Sequence, residues 1–451
     1  METIEPQATR ALVDSVAGIT LEDAPDAARM VARHCVLDWL GCALGGSREP
    51  LSQILIQEIA FREPGDGTLV GRSERATLLT AALVNGAMGH ALDFDDTHWL
   101  MNGHPSAPVV PAVLALAERE GCDGEAFLAS LIAGIEFECR LGALIGGPHY
   151  AAGFHATGTL GTFGAAAAAS HLLGLNRDAW CHAIGLAGTQ AAGLKSGFGT
   201  MAKPLHAGRA ASNGLLAALL ARGGFTGNQA IIETAQGFAA NHAGGAIDPS
   251  RLARIGEQWL ITQTLFKYHA SCYLTHAPIE AASRLRADGL RVQDIDSVEV
   301  RGSMTCVGVC DIPEPTTGLE GKFSLRATTA MALLGDDTSD PATFSDQRMR
   351  EPDLIALRDR IAFVPQPGLA ATRATVVVRS DGRELSAEAD TGQPSTDLDA
   401  QWDKLSAKFF ALAEPVVGPD NARALHRMIA GIEGVPSVRD LMQLAQPVVR
   451  A

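Results

Sequence analysis

The stretch Ala27-Ala-Arg-Met30-Val-Ala-Arg-His-Cys35-Val-Leu-Asp-Trp-Leu40 decides how the chain is read. Its residues Ala27, Met30, Val31, Cys35, Val36, Trp39 and Leu40 recur at steps of three and four, the period that gathers side chains on one face of a helix. The same spacing continues in Leu78-Leu79-Ala82-Leu83, running on to Met88, and persists to about residue 265. It predicts a string of buried helices. Between about 290 and 390 the period changes: Val298 and Val300 alternate with charged residues, and Thr375-Val-Val-Val-Arg379 meets Ser380-Asp381-Gly382 before Glu384-Leu385-Ser386. An Asp-Gly pair between two such runs predicts a hairpin, so a small α+β unit belongs here. From Asp397 helical spacing returns through Leu405, Phe409, Phe410 and Leu412, then Leu425, Met428, Ile429 and Ile432, ending near Val448. This tail is expected to pack back on the first helices.

Composition narrows the function. The 451 residues are 47% hydrophobic and 19% charged, which excludes a disordered or collagen-like chain. A formal charge of −15 and 5% aromatics leave neither the basic footprint nor the stacking platform of a nucleic-acid binder. Cysteines 35, 42, 122, 139, 181, 272, 306 and 310 are scattered, with no paired zinc spacing, and read as reduced thiols of a cytoplasmic protein. The opening Met1-Glu-Thr-Ile-Glu-Pro6 has no basic region leading into an apolar one, so no secretory signal is expected. The uncharged run Gly158 to Leu175 is too rich in Gly and Ala for a membrane span.

Several segments break local rules. Six lysines stand against thirty arginines, and Lys195, Lys203, Lys267 and Lys322 fall in segments rich in Gly, His, Ser or Thr. Three segments place a basic or imidazole group before an expected helix: His104-Pro-Ser106 (with Ser106 as N-cap of a helix over 107–119), Gly153-Phe-His155-Ala-Thr157, and Lys203-Pro-Leu-His206. A cation there opposes the helix dipole at about 0.3–1 kcal/mol, so an anion is expected nearby. The opposite violation is Asp93-Phe-Asp-Asp-Thr97-His-Trp99, carboxylates at the expected end of the helix beginning near Ala76. That cluster reads as a general base beside a cationic pocket, as a divalent-metal site, or as a solvated acidic loop. The second metal motif of prenyl-diphosphate enzymes is absent. Lys267-Tyr-His269-Ala-Ser-Cys272-Tyr-Leu-Thr-His276 lacks a second zinc-ligand pair and suits a cleft wall. Gly158-x-x-Gly161-x-x-Gly164 has the wrong spacing for a dinucleotide site and reads as close helix packing; no P-loop occurs.

Asp93-Phe-Asp-Asp-Thr97, Gly103-His104-Pro105, Gly153-Phe-His155-Ala-Thr157-Gly158, Lys203-Pro-Leu-His-Ala-Gly208 and Lys267-Tyr-His-Ala-Ser-Cys272, in this order, resemble the MmgE/PrpD family over about residues 5 to 445. The resemblance implies a mainly α fold: a large all-helical domain from both chain ends (1–265 and 395–451) and a smaller α+β lid domain (266–394). It also implies a homodimer, a cleft site, no metal or organic cofactor, and a small di- or tricarboxylate as substrate. It puts Asp93, Thr97, His104, His155, Lys203 and Lys267 on the family's active-site positions. Cys272 stands where the decarboxylase pattern has a histidine, and Phe323-Ser-Leu-Arg326-Ala327 lacks a tyrosine that relatives carry, which argues against itaconate formation.

The expected chemistry follows. Asp93, His104, His155 and Lys203 are the catalytic candidates; Thr97, Lys267, His269 and Cys272 would bind substrate. Lysines hold carboxylates, imidazoles move protons, and Asp93 orients an imidazole or acts as base. The leading expectation is a lyase, dehydratase or decarboxylase. The alternatives are an epimerase of an iminodisuccinate-like dicarboxylate and a non-catalytic carboxylate-binding protein.

Overall fold

A computed structural model describes residues 7–245 and 247–447. The opening segment Met1–Pro6 and the helix end expected near Val448 lie outside the described residues.

The stretch that set the reading is a helix, Asp26–Gly46, entered from Pro25 with an acidic residue in its first turn. Val31, Cys35, Val36, Trp39 and Leu40 are all buried, and the helix packs along Leu398–Ala430, the tail expected to return. The latter begins at an Asp397 cap and bends at Gly418, where the backbone leaves helical geometry. The central helices are Leu78–His90, Ser106–Glu120, Gly124–Ala151, Ala156–Leu172 and Ala202–Arg222. Ala165 to Ala169 are buried without exception, so neighbouring helices come close.

The tightest approach joins Leu78–His90 to Ala202–Arg222. A Cβ on Gly208 would stand 2.2 Å from the Leu83 carbonyl oxygen, and one on Gly86 would stand 2.9 Å from Gly208 Cα. This contact brings the end of the first helix, just before Asp93, beside the first turn of the second, which carries Lys203.

Ser106 is the first residue of its helix rather than the cap; Pro105 holds that position. The reason is a competing partner, because the Ser106 hydroxyl donates to the Asp96 carboxylate at 2.5 Å.

The second unit carries a four-stranded sheet ordered Ile361–Gln366, Ile295–Ser303, Arg373–Ser380, Arg383–Asp390. The first pair is parallel and the other two antiparallel. Val298 and Val300 point into the core, as their alternation requires. Asp381 and Gly382 both take positive φ (49° and 71°), the turn that matches the twist of a two-residue hairpin. Helices His276–Ala287 and Leu325–Leu334 lie against this unit.

One hydrophobic core draws on residues 8–266 and 405–445. A second runs from Ala270 to Ala389, and Cys42, Leu92, Phe94 and Leu412 reach into it from the helices. Leu92 and Phe94 flank Asp93, so the aspartate sits where the two cores meet.

Gly208→Ala should overpack the helix crossing and cost about 1–3 kcal/mol, read as a lower urea midpoint with an unchanged m-value. An unaltered midpoint would show that the crossing is looser than described.

Candidate active site

The chain leaves the helix at His90 and turns sharply, with Asp93 in the left-handed region at φ 51°. Asp tolerates this conformation better than most side chains. The turn is held by lysines. Lys322 donates to the Leu92 carbonyl (2.7 Å). Lys203 donates to Asp93 Oδ2 (2.7 Å), and Lys267 to Oδ1 (2.5 Å) and to the Asp93 carbonyl (2.8 Å). Lys408 donates to the Phe94 carbonyl and to Asp38 (2.6 Å). Four of six lysines therefore converge on three consecutive residues. These ammonium groups lie where the helix dipole is negative, which resolves the apparent misplacement of Asp93.

The other carboxylates are buried too, so the solvated acidic loop is overturned. Asp95 accepts from His90 Nδ1 through both oxygens (2.8 and 2.9 Å). Asp96 accepts from the amide and hydroxyl of Ser106. His104 Nδ1 lies 2.6 Å from the Asp96 backbone carbonyl. A carbonyl only accepts, so Nδ1 carries the hydrogen and Nε2 is left with a lone pair, 3.9 Å from Asp93 Oδ1. The ring centroid of His90 is 4.5 Å from that of His104 and 5.9 Å from that of His155. His155 occupies the N-cap position of the helix beginning at Ala156, and its Nε2 is buried without a partner among the described residues.

A cavity opens on this cluster. Asp93, Thr97, His104, His155, Lys203, Lys267 and Cys272 all line it. Lys203 remains 5% exposed, whereas Lys267 is wholly buried and grips Asp93 through its side chain and its carbonyl. Thr97 closes the loop by donating its hydroxyl to the Gly103 carbonyl and its amide to that of Leu265. Cys272 faces Cys310, and the hydrogen bond between them draws the Cys272 thiol down against the effect of burial.

His269 lies apart from these residues. It does not line the cavity; its ring bonds Glu280 (3.2 Å) and the Thr338 hydroxyl (2.8 Å). Two positions beyond Lys267 in an irregular segment, it faces a different wall. Arg326 is also outside the lining.

Other residues complete the wall, of which Tyr150, Phe198 and Val309 carry no sequence signal. Trp99, Phe198, Tyr273, Leu274, Val309 and Phe323 form an apolar side, and Tyr150 brings a phenol. Lys195, flagged by its composition, lies over the Tyr150 ring at 3.9 Å. His90 carries no motif signal beyond standing three residues before Asp93.

His90, Asp93, Asp95 and His104 are close enough together to enclose a cation. The donor set argues against a dication: both Asp93 oxygens already take ammonium hydrogens, and both Asp95 oxygens face His90. A divalent ion would sit against Lys203 and Lys267 and be repelled.

Burial would raise the Asp93 carboxyl, but Lys203 and Lys267 outweigh it and hold it well below the usual carboxylate range. Burial, reinforced by Lys203 and the neighbouring imidazoles, keeps His155 neutral at pH 7; burial does the same for His104, against the pull of Asp95. Asp96 moves the other way: burial and nearby Asp38 push it up to about 8. Glu138, buried with neither oxygen bonded, is also raised well above its ordinary value, by burial and by Asp96.

Fold and site define a mainly helical protein with a cavity lined by a buried lysine–aspartate cluster and two histidines. Residues 10–249 match the MmgE/PrpD N-terminal domain and residues 269–433 the MmgE/PrpD C-terminal domain. The chain belongs to the MmgE/PrpD family. It is 27% identical to a cis-aconitate decarboxylase of Aspergillus terreus, over 94% of this chain and 93% of that one. It is 26% identical to the cis-aconitate decarboxylase of Homo sapiens, over 94% and 92%. It is 27% identical to a 2-methylcitrate dehydratase of Cupriavidus necator, over 81% and 79%.

Asp93→Ala strips two buried ammonium groups of their counter-ion and should cost about 3–5 kcal/mol in denaturant unfolding. A loss under 1 kcal/mol would mean that water already compensates them.

Asp96 keeps its proton in the folded state up to about pH 8, whereas an unfolded Asp loses it near pH 4. Folding stability therefore drains away as pH rises through that window. Asp96→Asn should gain on the parent protein from pH 4 to 8, by up to about 1.4 kcal/mol per pH unit. A pH-independent difference would show that Asp96 is ionised when folded.

Proposed function

We propose that this protein is a lyase of a small di- or tricarboxylate, working by acid–base chemistry without metal or organic cofactor. The observation that carries the reading is one cavity lined by the Lys203–Asp93–Lys267 charge cluster and by two neutral imidazoles, His104 and His155. Two ammonium groups against one carboxylate leave a net positive charge, which suits a substrate carboxylate at Lys203. Negative charge developing on the adjacent carbon is stabilised by the same ammonium group; a preorganised donor of this kind contributes about 10²–10³ in rate. His104 Nε2, held as a lone pair, takes a proton from carbon. His155 Nε2 gives one to a leaving hydroxyl or, after loss of CO2, to the carbanion. Asp93, fully engaged and held ionised, positions the lysines instead of acting as base.

The decarboxylase and dehydratase names of the relatives support this class. The reading includes the α+β unit at 266–394 as the lid of the cleft and a homodimer, tested by sedimentation. All eight cysteines are free, which suits a cytoplasmic, reducing location.

Incubation with cis-aconitate and with 2-methylcitrate in deuterated water, followed by NMR, is expected to show loss of CO2 or water. Deuterium uptake with no other change of formula would favour the epimerase, and binding with neither turnover nor exchange would favour a binding protein. Lys203→Met, His104→Gln and His155→Gln should each stay folded and lower kcat by about 10²–10⁴. Full turnover in these variants would overturn the assignment.

A further inference from the structure

Proton transfer at His155 raises a supply problem, since its Nε2 is buried with no partner among the described residues and the residue is 2% exposed. The ring reaches outward through its other nitrogen. His155 Nδ1 lies 3.0 Å from Nδ1 of His206, with ring centroids 5.3 Å apart. Two ring nitrogens at that distance share one hydrogen, so one ring carries Nδ1–H and the other offers a lone pair.

His206 follows Lys203 by three residues, which puts both on one face of the helix Ala202–Arg222. It is half-buried and sits in a slot walled by glycines. A Cβ on Gly158 would come within 3.0 Å of the His206 Cβ, and one on Gly193 within 3.4 Å of its Cγ. One on Gly197 would come within 3.4 Å of Cε1 and 4.0 Å of Nε2. Nε2 therefore faces the Lys195–Gly197 turn, where Leu194 and Ser196 are exposed. The ring spans the wall, with one nitrogen on His155 and the other toward the surface.

We propose that His206 is a proton relay connecting His155 to solvent. The inference rests on the reading of His155 as the proton-transfer group. A solvent proton adds to His206 Nε2, the Nδ1–H of His206 passes to His155 Nδ1, and the Nε2–H of His155 passes to the substrate. Each ring gains one proton and loses one, so both end neutral with their tautomers exchanged. The reverse sequence drains a proton to solvent.

A neutral start and end matter because the groups around the pair disfavour a lasting imidazolium. Lys203, His90 and His104 act on His155, and His90 and Lys203 act on His206; with burial as the largest influence, both rings are held below their ordinary pKa. Phe198 meets the His155 ring edge-on at 4.9 Å between centroids and offers no proton of its own.

Two measurements test the relay. In protein labelled with 15N-histidine, NMR at pH 7 without ligand should show one Nδ1–H tautomer in the pair and no imidazolium; two Nε2–H tautomers would overturn it. In turnover, His206→Gln keeps a hydrogen-bond donor for His155 but cannot pass a proton on, and His206→Ala leaves the slot vacant. Both should lose about 10²-fold in kcat at little change in KM, and added imidazole should restore the Ala variant in part. A merely structural His206 would be replaced by Gln and ignore imidazole, and that result overturns the relay. His155→Gln separates the failures. Should that variant stay fully active, the site reading falls; should it be inactive while both His206 variants keep the parent kcat, only the relay falls.

Discussion

Four ammonium groups closing on the backbone and side chain of Leu92, Asp93 and Phe94 are the constraint on which the rest of this molecule depends. Taking a lysine out of water costs several kcal/mol per ion, recovered only when geometry and hydrogen bonds are good. Here each donor meets at least one oxygen at 2.5–2.8 Å, and the acceptors belong to a turn at a helix C-terminus, where the backbone itself favours positive charge. Lys322 shows what the arrangement costs: buried, with one carbonyl as its hydrogen-bond acceptor, it is drawn down to about 8. The turn cannot relax without leaving a buried charge unpaired.

The same charges shape the acid–base behaviour of the cleft. Burial, reinforced by the lysines, depresses His104 and His155, and the same lysines outweigh burial at the Asp93 carboxyl, whereas Asp96 and Glu138, a layer behind, are raised by burial and by neighbouring carboxylates. Like residue types thus take opposite protonation states within a few ångströms. Asp93 is held as an anion between lysines, His104 and His155 are neutral, and the deeper Asp96 and Glu138 keep their protons.

Much of this was legible in the sequence, for identifiable reasons. Helical spacing in Ala27–Leu40, alternation at Val298 and Val300, and the Asp381-Gly382 turn are local signals, and local physics decided those elements. Asp93 and the cations before helices stood out because they violated the dipole rule, and a violation points to a missing partner even when the partner is unknown. What stayed hidden is non-local. Nothing near Lys408 announces that it reaches Phe94, and nothing near Tyr150 or Phe198 marks a cavity wall. Ser106 was misread because its partner Asp96 is ten residues away and competes with the capping role. His269 sits away from the cavity because chain neighbours in an irregular segment need not share a wall.

The route of the chain through the charge cluster bears on its synthesis. Lys408 is separated from the carbonyl it holds by 314 residues, and Lys322 by 230. A nascent polypeptide emerging from the ribosome presents Asp93 long before these counter-ions exist. No truncated product that stops short of Lys408 can assemble the full electrostatic framework. The framework around Asp93 is therefore completed late, by the same tail that closes the helical core.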